Sequence, residues 1–256
     1  MFIDAHNHLQ DPRFKGFRDQ IVDDMKAAGI VSCLVNGTSE SDWDEVKALA
    51  QRFPDFVRPA YGLHPWRVAE RSSDWVSRLR SLLLDDPQAS IGECGLDRWI
   101  RNPHFPAQLT VFRSQLELAR ELDRPVTVHC LKAWAPLMEL LREMPTHPRI
   151  LLHSFNGSLE IARELATMGA YFSFSGYFLH ERKKSQLEIF RQLPLERVLV
   201  ETDAPDMLPP DSVIHFSLGK RNHPANLAGI SKRLLEETQL THQQLIKNTQ
   251  AFFEFS

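Results

Sequence analysis

The chain is short of cysteine, of long apolar runs, of an excess of one charge and of a glycine-rich turn after its first strand-like segment, and each shortage removes a class of protein. Only three of its 256 residues are cysteines, Cys33, Cys94 and Cys130. Each lies inside an apolar run that reads as a buried strand, which suits reduced thiols packed as small core residues in a reducing compartment, not a disulfide framework. No stretch approaches about 18 uninterrupted apolar residues, and the N-terminus has no basic region followed by an apolar segment, so neither membrane insertion nor export is expected and the cytosol is the default. With 30 Lys and Arg against 33 Asp and Glu the net charge is −3. No global basic field therefore draws the chain to nucleic acid, and a polyanionic substrate would have to be held by metal ions and a local pocket. There is no low-complexity tract, no run of like charge and no Gly/Ser-rich linker.

What is present is an ordinary globular composition, 43% hydrophobic and 25% charged, at a length close to the roughly 250 residues of a closed α/β barrel. Short β-branched or aromatic runs alternate with longer amphipathic segments. The strand candidates are Phe2–His6, Val31–Gly37, Val57–Gly62, Ser90–Gly95, Pro125–Cys130, Arg149–Phe155, Tyr171–Gly176 and Val198–Thr202. Helix candidates fall at Phe17–Ala28, Ser41–Phe53, Ser73–Leu84, Pro106–Leu122, Ala133–Glu143, Leu159–Met168 and Lys184–Leu193, with two more after a proline-rich loop, near Asn226–Thr238 and Thr241–Phe253. Ser39 or Ser41 should cap the second helix and Thr241 the last, while Gly29 and Gly169 should end the first and sixth. Eight β–α alternations without a linker predict one domain spanning residues 1–256, a parallel (β/α)8 TIM barrel with an extra C-terminal helix. A doubly wound open sheet is the alternative, but it would want a glycine-rich phosphate turn where this chain has Asp4-Ala5-His6-Asn7-His8.

In such a barrel the active site lies at the C-terminal ends of the strands. His6 and His8 leave one face of the first strand together, while Asp4 and Asn7 face elsewhere or support the turn. His64 follows the third strand, Glu93 and Asp97 belong to the fourth, His129 to the fifth, His153 to the sixth, and Glu201 and Asp203 to the eighth. Five of the 11 histidines and four carboxylates thus converge on one mouth, enough for two metals. Two divalent cations close together need a bridging anion, which Glu93 can supply, and a water held by the pair loses its proton near neutral pH, with Asp203 placed to orient it or take the proton. His147, His180 and His242 read as solvated helix-surface residues, and His104 and His215 fall in loops near the mouth.

The chain resembles the TatD-like metal-dependent hydrolases of the amidohydrolase superfamily from end to end. The motifs that carry the likeness are Asp4-Ala5-His6-Asn7-His8, Tyr61-Gly62-Leu63-His64-Pro65, Ile91-Gly92-Glu93-Cys94-Gly95-Leu96-Asp97, Pro125-Val126-Thr127-Val128-His129, Leu152-His153-Ser154-Phe155-Asn156-Gly157, Tyr171-Phe172-Ser173-Phe174-Ser175-Gly176 and Leu199-Val200-Glu201-Thr202-Asp203-Ala204-Pro205. The resemblance implies a TIM barrel with His6, His8, Glu93 and Asp203 around one metal and Glu93, His129 and His153 around the other. It also implies that His64 faces the substrate, and that Asp203 doubles as acid and base. A related barrel group bridges its metals with a carboxylated lysine, which this sequence lacks beside Glu93.

The implied activity is a divalent-metal-dependent deoxyribonuclease, a 3′–5′ exonuclease on single-stranded DNA using Mg²⁺, Mn²⁺ or Zn²⁺, in a soluble monomer with no membrane partner. Relatives of this kind often carry an arginine two residues after the fifth-strand histidine, where this chain has Leu131 and then Lys132. Lys132 either replaces it as a point charge or is a solvated helix-start residue. Arg221 and Asn222 match the family as substrate contacts, but His223 stands where many relatives have glutamate and is either a further contact or a helix N-terminal residue. Trp66, Trp99 and Trp134 follow strands three, four and five, where they either stack on an unpaired base or pack the rim. Loss of the arginine leaves a second reading open, hydrolysis of an aminoacyl ester of transfer RNA or of a cyclic amide at the same site. A metal-binding protein without turnover is disfavoured by the intact ligand set together with Asp203.

Overall fold

The computed structural model describes residues 1–253. Its strands are β1 (Phe2–Asn7), β2 (Ile30–Asn36), β3 (Val57–Tyr61), β4 (Ser90–Asp97), β5 (Val126–Leu131), β6 (Ile150–Leu152), β7 (Tyr171–Ser175) and β8 (Val198–Glu201). They form one sheet in sequence order with every neighbouring pair parallel. The helices are α1 (Arg18–Ala27), α2 (Trp43–Arg52), α3 (Trp75–Asp85), α4 (Phe105–Glu121), α5 (Trp134–Glu143), α6 (Leu159–Thr167), α7 (Lys184–Phe190), α8 (Leu227–Glu237) and α9 (His242–Phe253). This is the TIM barrel expected, with α9 as the extra C-terminal helix. Helices cover the outside of the sheet, and β4 is buried over its whole length, its polar Glu93 and Asp97 included. The three cysteines are free and buried, as core residues should be.

The β1–β8 seam closes with few ladder bonds. The Asp203 amide donates to His6 O at 3.0 Å and the His8 amide to Ala204 O at 2.8 Å. The rest of the seam hangs on the fully buried Asp4, whose carboxylate accepts from the Thr202 amide at 3.0 Å, from Thr202 Oγ1 at 2.6 Å and from Asn7 Nδ2 at 3.2 Å. Asp4 and Asn7 therefore support the turn that presents the two histidines. Between β4 and β5 the approach is set by Gly95, at φ 141°, where a Cβ would stand 2.0 Å from His129 O. Only glycine lets the two strands carrying Glu93 and His129 run so close.

Three local expectations are corrected. β6 was expected to span Arg149–Phe155, but it ends at Leu152 because Ser154, at φ 41°, leaves the ladder and gives its amide to Glu201 Oε1 at 2.7 Å. Ser39 and Ser41 bond each other at 2.7 Å instead of capping α2; the turn before that helix is organised by Asp42, which accepts from the amides of Thr38 and Ser39. His147, His180 and His242 are half-buried, each held to a backbone carbonyl, those of Leu141, Leu208 and Met1. Thr241 does accept from the Gln244 amide at 3.1 Å, and Gly29 and Gly169 take the positive φ of helix ends, 81° and 85°.

Candidate metal centre

Strand ends deliver the cluster, and Glu93 lies at its middle, 3% exposed. Its Oε2 is 3.5 Å from His6 Nε2 and 3.2 Å from His8 Nε2. Its Oε1 is 3.1 Å from His129 Nδ1 and 2.8 Å from His153 Nε2. One carboxylate thus turns an oxygen to each of two histidine pairs. Asp203 Oδ1 lies 3.4 Å from both His6 Nε2 and His8 Nε2, completing the first half. Donor atoms of His6, His8 and Asp203, of His6, Glu93 and His153, and of His64, Glu93 and His129 lie within 4.8 Å of one another, close enough to hold a cation.

The rings are oriented from behind. His8 Nδ1 donates to Asn36 O at 2.8 Å, leaving Nε2 for the cluster. His129 Nε2 donates to Asp97 Oδ2 at 2.9 Å, so Nδ1 is the nitrogen with its lone pair toward Glu93. His153 has Nδ1 3.6 Å from Glu201 Oε1, and Glu201 is fixed in turn by Ser154 and by the Ser173 hydroxyl. His6 lies flat against His153, centroids 4.1 Å apart. His64 is arranged differently. Its Nδ1 accepts from the Trp66 amide at 3.2 Å, which puts the ring proton on Nε2, 3.3 Å from Glu93 Oε1. A protonated nitrogen donates and does not ligate, so His64 is a hydrogen-bond donor beside the cluster despite its proximity.

The electrostatics bear the mark of a site built for positive charge. Burial alone would raise the Glu93 carboxyl, yet the imidazoles of His153, His64 and His129 hold it well below the usual range. Burial likewise opposes charge on Asp203, which bonds to His6 and His8 keep ionised. Burial lowers His8 and His153, but their carboxylate neighbours outweigh it and raise both well above an ordinary histidine. Protons are drawn onto these rings where cations would otherwise meet the carboxylates. His64 goes the other way: burial pushes it down to about 4, so it stays neutral.

The positions expected to touch substrate separate. Lys132 is exposed at φ 54°, with Nζ 3.9 Å from the Trp99 ring centroid. Arg221, by contrast, spends its guanidinium on Arg13 O at 2.5 Å and Leu218 O at 3.3 Å. Asn222 is fully buried, its Nδ2 donating to Thr202 O at 2.8 Å and its amide to Pro205 O at 3.0 Å, so it steadies the segment carrying Asp203 and offers no surface to a substrate. His223 is the helix-start residue of its two readings: Nδ1 accepts from the Ala225 amide at 3.0 Å and Nε2 is 3.3 Å from Asp24 Oδ2. His104 and His215 are exposed and stand outside the groups of metal-capable residues. Sequence reasoning counted Asp97 and Glu201 among the carboxylates of the mouth, where they stand behind the rings of His129 and His153, and it gave no role to Asn36 or Ser173.

The family model described as TatD related DNase matches residues 3–254. Among curated proteins, the 3′-5′ ssDNA/RNA exonuclease TatD of Citrobacter koseri is 34% identical over 235 residues, 91% of this chain and 89% of its own length. The uncharacterized metal-dependent hydrolase YabD of Bacillus subtilis is 28% identical over 251 residues, 97% of this chain and 96% of its own. Among solved structures, the TatD homolog YJJV of Escherichia coli superposes with a TM-score of 0.90 at 30% identity, covering 100% of this chain and 98% of that one.

Proposed function

Since the chain belongs to the TatD-related DNase family, we propose that it is a divalent-cation-dependent deoxyribonuclease that trims single-stranded DNA from the 3′ end. The observation that carries this reading is Glu93, whose two oxygens face separate pairs of histidines. The buried donor set fits two cations: His6, His8, Glu93 and Asp203 would hold one, and Glu93, His129 and His153 the other. Bound there, Mg²⁺, Mn²⁺ or Zn²⁺ would acidify a water and offset charge on a phosphodiester. Asp203 would orient a water at the centre and take its proton. The Nε2–H of His64 donates to a non-bridging phosphate oxygen, and Lys132 adds a charge at the rim. The two carboxylates at ligand positions leave part of the cations' charge unmatched, which suits an anionic substrate. We read residues 1–256 as one domain of a cytosolic monomer. Among the described residues no helix is long and apolar enough to cross a membrane.

A second reading, hydrolysis of an aminoacyl ester or cyclic amide, is favoured by Leu131, whose half-buried side chain offers no phosphate grip. A 5′-labelled single-stranded oligonucleotide with Mg²⁺ or Mn²⁺ separates the two. The native protein should shorten it stepwise, and Asp203→Asn should slow trimming by about 10²–10⁴-fold, the usual worth of a placed acid–base group. No trimming by a protein loaded with two cations would move the substrate to an ester or amide.

A further inference from the structure

Two tryptophans expected at the rim remain largely in solvent, Trp66 at 54% and Trp99 at 62% exposed. Trp134, the third, is half-buried and packs edge-on against Phe155, centroids 5.1 Å apart, so it belongs to the core. Two exposed indoles tied to one carboxylate beside the metal centre make an aromatic patch, a kind of surface that marks an interaction site. Both ties are to Asp97. The Trp66 Nε1–H donates to Asp97 Oδ2 at 2.7 Å, and the Trp99 amide donates to Asp97 Oδ1 at 2.6 Å. A single fully buried carboxylate therefore holds the Trp66 ring and the Trp99 backbone, and it is the carboxylate that orients His129. On its inner side Trp66 meets His64 edge-on, centroids 5.1 Å apart. The Lys132 ammonium lies on one face of Trp99, placing a cation beside the ring.

We propose that Trp66 and Trp99 form a stacking platform for the unpaired bases of a single-stranded nucleic acid beside the metal centre, an inference that rests on the nuclease reading given above. Flat aromatic faces accept any base without reading its sequence, and a neighbouring ammonium meets the strand's phosphate. A duplex has no free base faces to offer, so the platform selects single strands at a site whose overall charge cannot. Asp97 is a positioning residue in this scheme: it holds the platform and His129 in one frame.

The test compares steady-state cleavage of an ordinary single-stranded decamer, and of one with abasic sites at the nucleotides next to its 3′ end, by the native protein, Trp66→Ala/Trp99→Ala and Trp66→Phe/Trp99→Phe. The alanine pair should raise KM about tenfold or more with kcat within about twofold. The phenylalanine pair should restore most of the KM, and the native protein should show the raised KM on the abasic strand. Unchanged KM in the alanine pair, or equal KM for both strands, overturns the platform while leaving the nuclease reading intact. Failure of the native protein to cleave either strand overturns both. Because both indoles are at the surface, thermal midpoints of the variants should match the native one, and a loss of folding seen with alanine alone leaves the abasic comparison to decide.

Discussion

Glu93 and Asp203 are held ionised against burial by the rings around them, and at the other end of the scale His223 is held neutral by burial. A histidine pushed below its ordinary value takes up a proton in the unfolded chain before it does so in the fold. Its contribution is therefore complete above about pH 6.5 and is lost as pH falls through that value toward the lower folded one. His223→Asn keeps a side-chain acceptor for the Ala225 amide but does not titrate. The urea midpoint of the native protein should exceed that of His223→Asn by more at pH 8 than at pH 5.5, both measured without metal. A difference that is constant or widens toward acid would show that His223 does not control this part of the pH profile. Residue identity alone could not have assigned it, because the burial that keeps it neutral, against the opposing pull of Asp24 of α1 at 3.3 Å, exists only in the fold.

At the scale of elements the weak place is the β1–β8 seam, where Asp4 replaces ladder bonds with side-chain ones. Thr202→Val preserves shape and removes the hydroxyl that donates to Asp4. A buried acceptor left short of a donor costs about 1–3 kcal/mol. Urea unfolding should show a loss of that size with the slope unchanged, and an unmoved midpoint would mean the seam closes without Asp4. The strands themselves were readable because short stretches rich in β-branched or aromatic residues recur between longer amphipathic segments. Their ends were less so: β6 stops early since Ser154 has a better acceptor in Glu201, a residue 47 positions on that no local pattern reveals. The serines before α2 failed as caps because their hydroxyls bond each other, while Asp42 takes the cap position with its carboxylate turned back to the amides of Thr38 and Ser39.

For the whole molecule, the ligand positions were legible because a barrel gathers its strand ends into one mouth, so His6, His8, Glu93, His129, His153 and Asp203 meet although up to 197 residues separate them in sequence. Loop residues were not legible in that way. Arg221 and Asn222 lie in a long connection whose side chains could turn inward or outward, and both turn to backbone carbonyls. Net charge gave no hint of a nucleic-acid substrate, since the positive charge such a site needs would come from cations and not from the chain. The proposed chemistry therefore turns on Glu93 serving two cations at once. The direct measurement is equilibrium dialysis of the native protein and Glu93→Gln against Mn²⁺ and against Zn²⁺, followed by elemental analysis: two cations per native chain and at most one in Glu93→Gln are predicted, while one or none in the native protein, or two retained without the carboxylate, would contradict it.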